Sequence, residues 1–333
     1  MKLKVDEAIG RKLALDITIL TQEGREVIRR GTVITRELAV KIKNAGHNVV
    51  YVIDETKPIE NIVLEDKAVL DYAEIITGKG CYIADVREGS AYIKAKYNGL
   101  LKVNTDYALR VNETEDLTLI TRRNFSGVLK DELVCILHIK PPYIEKSIHE
   151  KYINMLKKIS PIIEVKPFIK NRIGLIITGT EVYEGKVKDR IGPVVESKVK
   201  YYGGTLVSKR IIPDDIDTIK NAITEYINNE SIDIVIVTGG MSVDPSDLTP
   251  KAIAQLGAKI LFHGVPVKPN TMTLLAILKG KAILGIPSGI MHYPNRNILD
   301  IILPRLMAGE VWSKREIIML GVGGLMEEFI RKH

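Results

Sequence analysis

From Arg172 onward the chain alternates short apolar runs with amphipathic stretches, and this pattern limits its fold more than any other feature. The runs at 173–177, 205–211, 232–237, 258–262 and 282–286 have the length and β-branched content of buried strands. Helices are predicted between them near 191–202, 215–228 and 250–256, with a further helix running through Leu306. Strands joined by helical crossovers pair in parallel and carry the helices on their faces, so 171–312 is expected to form a three-layer α/β unit. Residues 313–333 make a tail too short for another domain.

The first 140 residues read as α+β and rich in strands, with a division near 60–65. Thr35 stands before Arg36-Glu37-Leu38 as an N-cap, Gly46 follows as a stop, and Val49-Val50-Tyr51-Val52 has strand composition. Residues 66–78 are expected to be helical, and from 80 to 138 apolar residues alternate in short stretches, with a turn at Asn98-Gly99. Lys140-Pro141-Pro142 closes this part, and 141–170 is expected as a helical linker. A chain of 333 residues exceeds what one core usually serves, which agrees with such a division.

No apolar run approaches the roughly 18 residues of a membrane span, and the N-terminus meets charge too early for a secretory signal. A cytoplasmic protein without a membrane partner is expected. Cys81 and Cys135 lie in different apolar contexts without a histidine pair, and read as reduced and structural. The net charge of +7 favours anionic partners without telling nucleic acid from a phosphorylated small molecule. Glutamine occurs only at Gln22 and Gln255, a composition of thermophile proteins.

In an open parallel sheet the ligand crevice lies beyond the carboxyl ends of the strands. There the chain places Thr178-Gly179-Thr180-Glu181, Thr238-Gly239-Gly240-Met241-Ser242 and Pro287-Ser288-Gly289. Glycine at a strand end lets backbone N–H groups approach a phosphate, and a following helix start adds partial positive charge. Asp247-Leu248-Thr249-Pro250 follows the second of these loops; Asp247 and Thr249 read equally as helix caps or as site residues. Asp214 and Asp215 are open to the same two readings. Carboxylates beside glycine loops suit a divalent metal held between protein and phosphate oxygens.

These motifs, with Asp189, Ile212-Pro213-Asp214-Asp215 and His263-Gly264-Val265-Pro266-Val267-Lys268-Pro269, resemble in order and spacing the MogA/MoeA-type molybdopterin-binding domain, also present in gephyrin. The resemblance covers about 172–309. It implies that Thr178, Gly179, Gly239, Gly240, Ser242, Thr249, Lys268, Pro269, Ser288 and Gly289 bind the phosphorylated pterin molybdopterin. It further implies that Asp247, Asp214 and Glu181 are catalytic, that Asp247 and Asp214 hold Mg²⁺, and that ATP or an AMP moiety takes part. Lys268 would meet phosphate or molybdate oxygens, with a solvated surface lysine as the alternative. The family commonly forms homo-oligomers, and an apo-molybdoenzyme is a further expected partner; nucleic acid is not.

The chain departs from the family pattern in four respects. Asn270-Thr271-Met272 stands where a glycine-led triplet is usual, and Pro287-Ser288-Gly289-Ile290 stands where Pro-Gly-Asn-Pro is usual. Neither the N-terminal Ser-Ala-Met-Asp-Gly-Tyr-Ala signature of MoeA nor its separate C-terminal barrel is matched. The N-terminal half instead resembles divergent stand-alone molybdopterin-binding proteins. Molybdopterin binding in cofactor biosynthesis, with Mg-dependent adenylyl transfer or AMP release and molybdate insertion, is the leading expectation. A CinA-like nucleotide pyrophosphatase and a non-catalytic carrier or sensor are the alternatives.

Overall fold

The computed structural model describes residues 2–21, 24–53, 61–241, 247–310 and 312–332. A six-stranded sheet organises the C-terminal unit, in the spatial order Thr205–Ile212, Arg172–Thr178, Ile234–Thr238, Lys281–Ile286, Leu274–Leu278, Lys259–His263. Side chains alternate between its faces, as strand geometry requires. Ile173, Leu175, Ile177, Ile234 and Ile236 join one core with Val195 and Val199 of helix Gly192–Tyr201 and Leu303 of helix Leu299–Met307. Ile176, Val235 and Val237 join the opposite core with Ile223 of helix Ile216–Asn228 and Ile253 of helix Thr249–Gln255. Two cores on two faces of one sheet make three layers.

The parallel reading needs one correction. Leu274–Leu278 was not expected, and it runs antiparallel to both Lys281–Ile286 and Lys259–His263. The turn behind it is Lys279-Gly280, both at positive φ (49° and 79°), the backbone that a two-residue hairpin demands. The remaining strand pairs, Arg172–Thr178 with Thr205–Ile212 and with Ile234–Thr238, and Ile234–Thr238 with Lys281–Ile286, are parallel. Their register sets Thr178 opposite Ile212, Ile177 opposite Thr238, and Thr238 opposite Ile286. Four strand ends therefore lie along one edge, and the loops that follow them emerge together.

The N-terminal part contains two separate cores. Val5, Ile19, Ile34, Ile42 and Val52 pack within the first 53 residues, under helix Arg36–Asn44, whose Leu38 N–H donates to Thr35 Oγ1 at 3.1 Å. The second core joins helix Glu65–Ile76 to the sheet of Cys81–Arg87, Ser90–Ala95, Leu133–Ile139 and Leu117–Thr121. Segment 141–170 belongs to this second body rather than linking it: Tyr143–Glu145 pairs with Ile62–Leu64, Ile163–Pro167 pairs with Gly99–Val103, and Tyr152 and Leu156 of helix Lys146–Lys158 enter the core. The strands on either side of Asn98-Gly99 go to different sheets, so that turn is not a hairpin.

Cys81 and Cys135 are buried and unpaired, and burial pushes the Cys81 thiol up to about 12. No helix among the described residues is long and apolar enough to cross a membrane. The second body meets the six-stranded C-terminal unit, the third body of the chain, at Arg305, which is 2% exposed and stacks on Phe125 and Trp312 at 4.0 and 3.9 Å. Glu310 adds ion pairs to Lys102 and Lys166 at the same junction, at 3.3 and 2.8 Å.

Candidate functional site

Two glycine loops touch at the strand ends. Gly239 and Gly240 take φ of 96° and 53°, and a Cβ on Gly239 would lie 2.2 Å from the Thr178 carbonyl oxygen. Only glycine permits both that conformation and that approach. Thr249 is fully buried and its hydroxyl donates to the Gly239 carbonyl at 2.9 Å, tying the loop to helix Thr249–Gln255. Thr249 thus shapes the loop with its own hydrogen bond. The helix starts after Leu248 with no side-chain cap, so Asp247 does not cap it.

Buried oxygens without partners collect at this edge. Thr178 Oγ1, Thr238 Oγ1, Asp247 Oδ2 and Asn270 Oδ1 have no hydrogen-bond partner among the described residues. Thr178, Thr238 and Asn270 are 4%, 0% and 8% exposed. Each such group costs on the order of 1–3 kcal/mol unless something supplies its partner. Elsewhere among the described residues, Thr77 Oγ1 and Trp312 Nε1 share this condition, while Arg305, whose Nε makes no hydrogen bond of its own, is held by Glu316 at 3.0 Å. Asp189 Oδ2 is held by an ion pair with Lys209 Nζ at 2.5 Å.

The other expected residues are placed as follows. Thr180 N–H donates to Asp214 Oδ2 and Asp214 N–H donates to Thr180 Oγ1, each at 3.1 Å, so the exposed Asp214 carboxylate already holds the first loop with one oxygen. Glu181 is exposed, while its backbone carbonyl closes the turn onto Lys186 and Val187. Asp215 caps helix Ile216–Asn228, and its bonds to Thr218 hold its carboxyl below the usual range. Asp189 accepts from the N–H groups of Ile191 and Gly192 ahead of helix Gly192–Tyr201. Gly179 has room for a Cβ, 3.6 Å from its nearest neighbour, Val182, but its φ is 154°. Ser242 lies outside the described residues.

Lys268 is exposed and forms no ion pair with a described residue, but its backbone is fixed on both sides. Its N–H donates to Gly324 and its carbonyl accepts from Met326, each at 2.9 Å, so the tail packs on this loop. Pro269 is buried. Asn270 has φ of 78°, a left-handed conformation that asparagine tolerates, and so keeps the backbone form a glycine would give. Its Nδ2 donates to the Pro287 carbonyl in a long contact of 3.4 Å. Gly289 is close by, since a Cβ there would lie 3.8 Å from Asn270 Nδ2; Ser288 is exposed.

No group of three His, Cys, Asp or Glu among the described residues would hold a metal ion. Two open concavities lie away from these loops, one lined by Arg110, Ser147, Lys151 and Met155, the other by Leu20, Val40 and Lys41. Neither contains an unpartnered buried oxygen. Thr238 and Asn270 escaped selection from sequence. The signal for Thr238 was a hydroxyl at the end of an otherwise apolar strand, Ile234-Val235-Ile236-Val237, repeated by Thr178 after Leu175-Ile176-Ile177.

Comparison with known proteins bears on this unit. Residues 174–307 match the family described as a probable molybdopterin binding domain, and residues 2–54 match a domain of unknown function. A molybdopterin molybdenumtransferase of Staphylococcus epidermidis is 30% identical over 128 residues, which cover 35% of this chain and 29% of that protein. The match thus spans under a third of the relative's length. Among solved structures, the molybdopterin biosynthesis MoeA protein of Pyrococcus horikosii aligns over 93% of this chain and 74% of its own, with 15% identity and a TM-score of 0.36. The MoaB enzyme of Thermus thermophilus aligns over 43% of this chain and 99% of its own, with 17% identity and a TM-score of 0.33. Residues 174–307, which carry most of the six-stranded unit, are thus similar to the family described as a probable molybdopterin binding domain.

Proposed function

We propose that the six-stranded unit binds molybdopterin in molybdenum cofactor biosynthesis, at the edge where the loops after Thr178, Thr238 and Ile286 meet. The convergence of buried, unpartnered oxygens from Thr178, Thr238, Asp247 and Asn270 carries this reading. Threonine hydroxyls donate to phosphate oxygens, while the Asp247 and Asn270 oxygens accept from ring N–H groups or hydroxyls. The exposed Lys268 ammonium, which pairs with no described residue, would meet phosphate or molybdate oxygens from the rim.

The finer reading is Mg-dependent adenylyl transfer or AMP release with molybdate insertion. Asp247 fits Mg²⁺, which keeps several waters and takes one or two carboxylates together with phosphate oxygens. Bound there, the ion would stabilise charge on a phosphoryl oxygen. Asp214 fits less well, because its Oδ2 already serves the Thr180 N–H, and we assign it to shaping the first loop. Glu181 is an exposed acidic side chain on that same loop.

The test is to give wild type and Asp247→Asn molybdopterin with Mg²⁺ and ATP, then adenylylated molybdopterin, then ADP-ribose. Wild type should bind the pterin and turn over one of the first two. Asp247→Asn should lose about tenfold or more of that activity, since it removes the charge that meets the metal, while stability changes by about 0.5 kcal/mol or less. Turnover of ADP-ribose alone would favour the pyrophosphatase, tight pterin binding with no turnover would favour the carrier, and no pterin binding would end the proposal.

A further inference from the structure

We infer that Asn270 is the specificity-determining residue of this site, selecting a phosphorylated heterocycle that carries N–H or O–H donors over a bare phosphate ester. This inference rests on the pterin-site reading above. The backbone at 270 does not call for a side chain: at φ of 78° a glycine would serve with less strain. Its carbonyl does the local work, accepting from the Thr273 N–H at 3.2 Å and the Thr273 hydroxyl at 2.7 Å. The side-chain amide is therefore additional to what the turn needs, yet it is 92% buried, and a buried amide must be satisfied by something.

The surroundings fix which way that amide faces. Nδ2 points to the Pro287 carbonyl at 3.4 Å. Exchanging the two ends would set two acceptor oxygens against each other, so the nitrogen belongs there. Oδ1 is then the free end, buried and without a donor among the described residues. An amide oxygen only accepts, so the missing partner has to bring a hydrogen. A phosphate ester at neutral pH is chiefly an acceptor. A pterin ring presents N–H groups and is the natural complement. The position is favourable as well, because Pro287 follows Ile286, which lies opposite Thr238 and its own unpartnered hydroxyl.

The experiment titrates the full chain with molybdopterin and separately with glycerol phosphate, by calorimetry, in wild type, Asn270→Gly and Asn270→Asp. Asn270→Gly should weaken molybdopterin binding about tenfold, the worth of one hydrogen bond, and leave glycerol phosphate within about twofold. Asn270→Asp keeps an acceptor in a residue that tolerates positive φ; at high salt, where repulsion from the phosphate is screened, it should bind molybdopterin more tightly than the glycine variant. Should Asn270→Gly fail to fold, the aspartate variant decides: a loss there as large for glycerol phosphate as for molybdopterin overturns the inference. Equal losses for both ligands in Asn270→Gly would make the residue a shaper of the loop, and no loss for either would remove it from the ligand; both overturn the inference while leaving the pterin site standing. A wild-type protein that binds glycerol phosphate but no molybdopterin overturns both readings together.

Discussion

Thr77 Oγ1 apart, the second body pairs the buried polar groups that the strand-end edge of the third leaves open. In the second, Tyr72 is fully buried, its hydroxyl lies 2.9 Å from His149 Nδ1, and His149 Nε2 lies 3.4 Å from Asp71. The carboxylate places the ring proton on Nε2, so Nδ1 accepts from the phenol. Tyr152 donates to Asp116 at 2.9 Å, and Ser90 pairs with His138 at the same distance. Burial pushes the Tyr152 phenol up to about 12, which keeps it a donor. In the third body, Thr178 Oγ1, Thr238 Oγ1, Asp247 Oδ2 and Asn270 Oδ1 at the sheet's edge are buried and have no partner among the described residues. A polar group with its partner in the chain serves the fold. A group of unpartnered ones gathered at one edge is what the proposed ligand site rests on.

Three substitutions would break or sharpen this contrast. Gly239→Ala should have the largest effect, because the new methyl would meet the Thr178 carbonyl at 2.2 Å at a φ of 96°; denaturant unfolding should show a loss of about 3 kcal/mol, and pterin binding should go with it. His149→Leu comes next, since it strands the Tyr72 hydroxyl. Stability should fall by about 2 kcal/mol, while pterin affinity in the folded protein stays unchanged. A weakened affinity would show that the second body takes part in the site. Thr238→Val should do least to the free protein, because it removes a hydroxyl that has no partner: unfolding free energy should hold or rise by up to about 1 kcal/mol while pterin binding weakens. A loss of stability instead would reveal a hidden partner and remove Thr238 from the contrast.

Much of the third body was legible because its central strands, Arg172–Thr178, Ile234–Thr238 and Lys281–Ile286, are largely apolar runs and its helices carry their own signals, as Asp215 does before Ile216–Asn228. Leu274–Leu278 was not, because its apolar run joins the next strand through only Lys279 and Gly280, too short a break to read as a turn. Helix Thr105–Asn112, capped by Asn104, was hidden among strands by its eight-residue length. The prolines around 141–167 suggested a linker, but strand pairing at both ends ties that segment into a core, a long-range effect that local composition does not carry. At the site, the glycine loops were visible because glycine has a local conformational meaning. Asn270 read only as a missing glycine. That it keeps the glycine's backbone while adding an acceptor depends on Pro287, seventeen residues away.

The Arg305 junction has an optical consequence. Trp312 is the single tryptophan of the chain, and its indole is stacked on a guanidinium that also covers Phe125 of the second body. Its emission therefore comes from one known place. If the second and third bodies part while each stays folded, the indole loses that stacked cation and gains water, so the fluorescence spectrum moves before the far-ultraviolet circular dichroism does. The protein thus carries an intrinsic reporter of how its bodies are joined, one that needs no label and leaves the loops at the strand ends untouched.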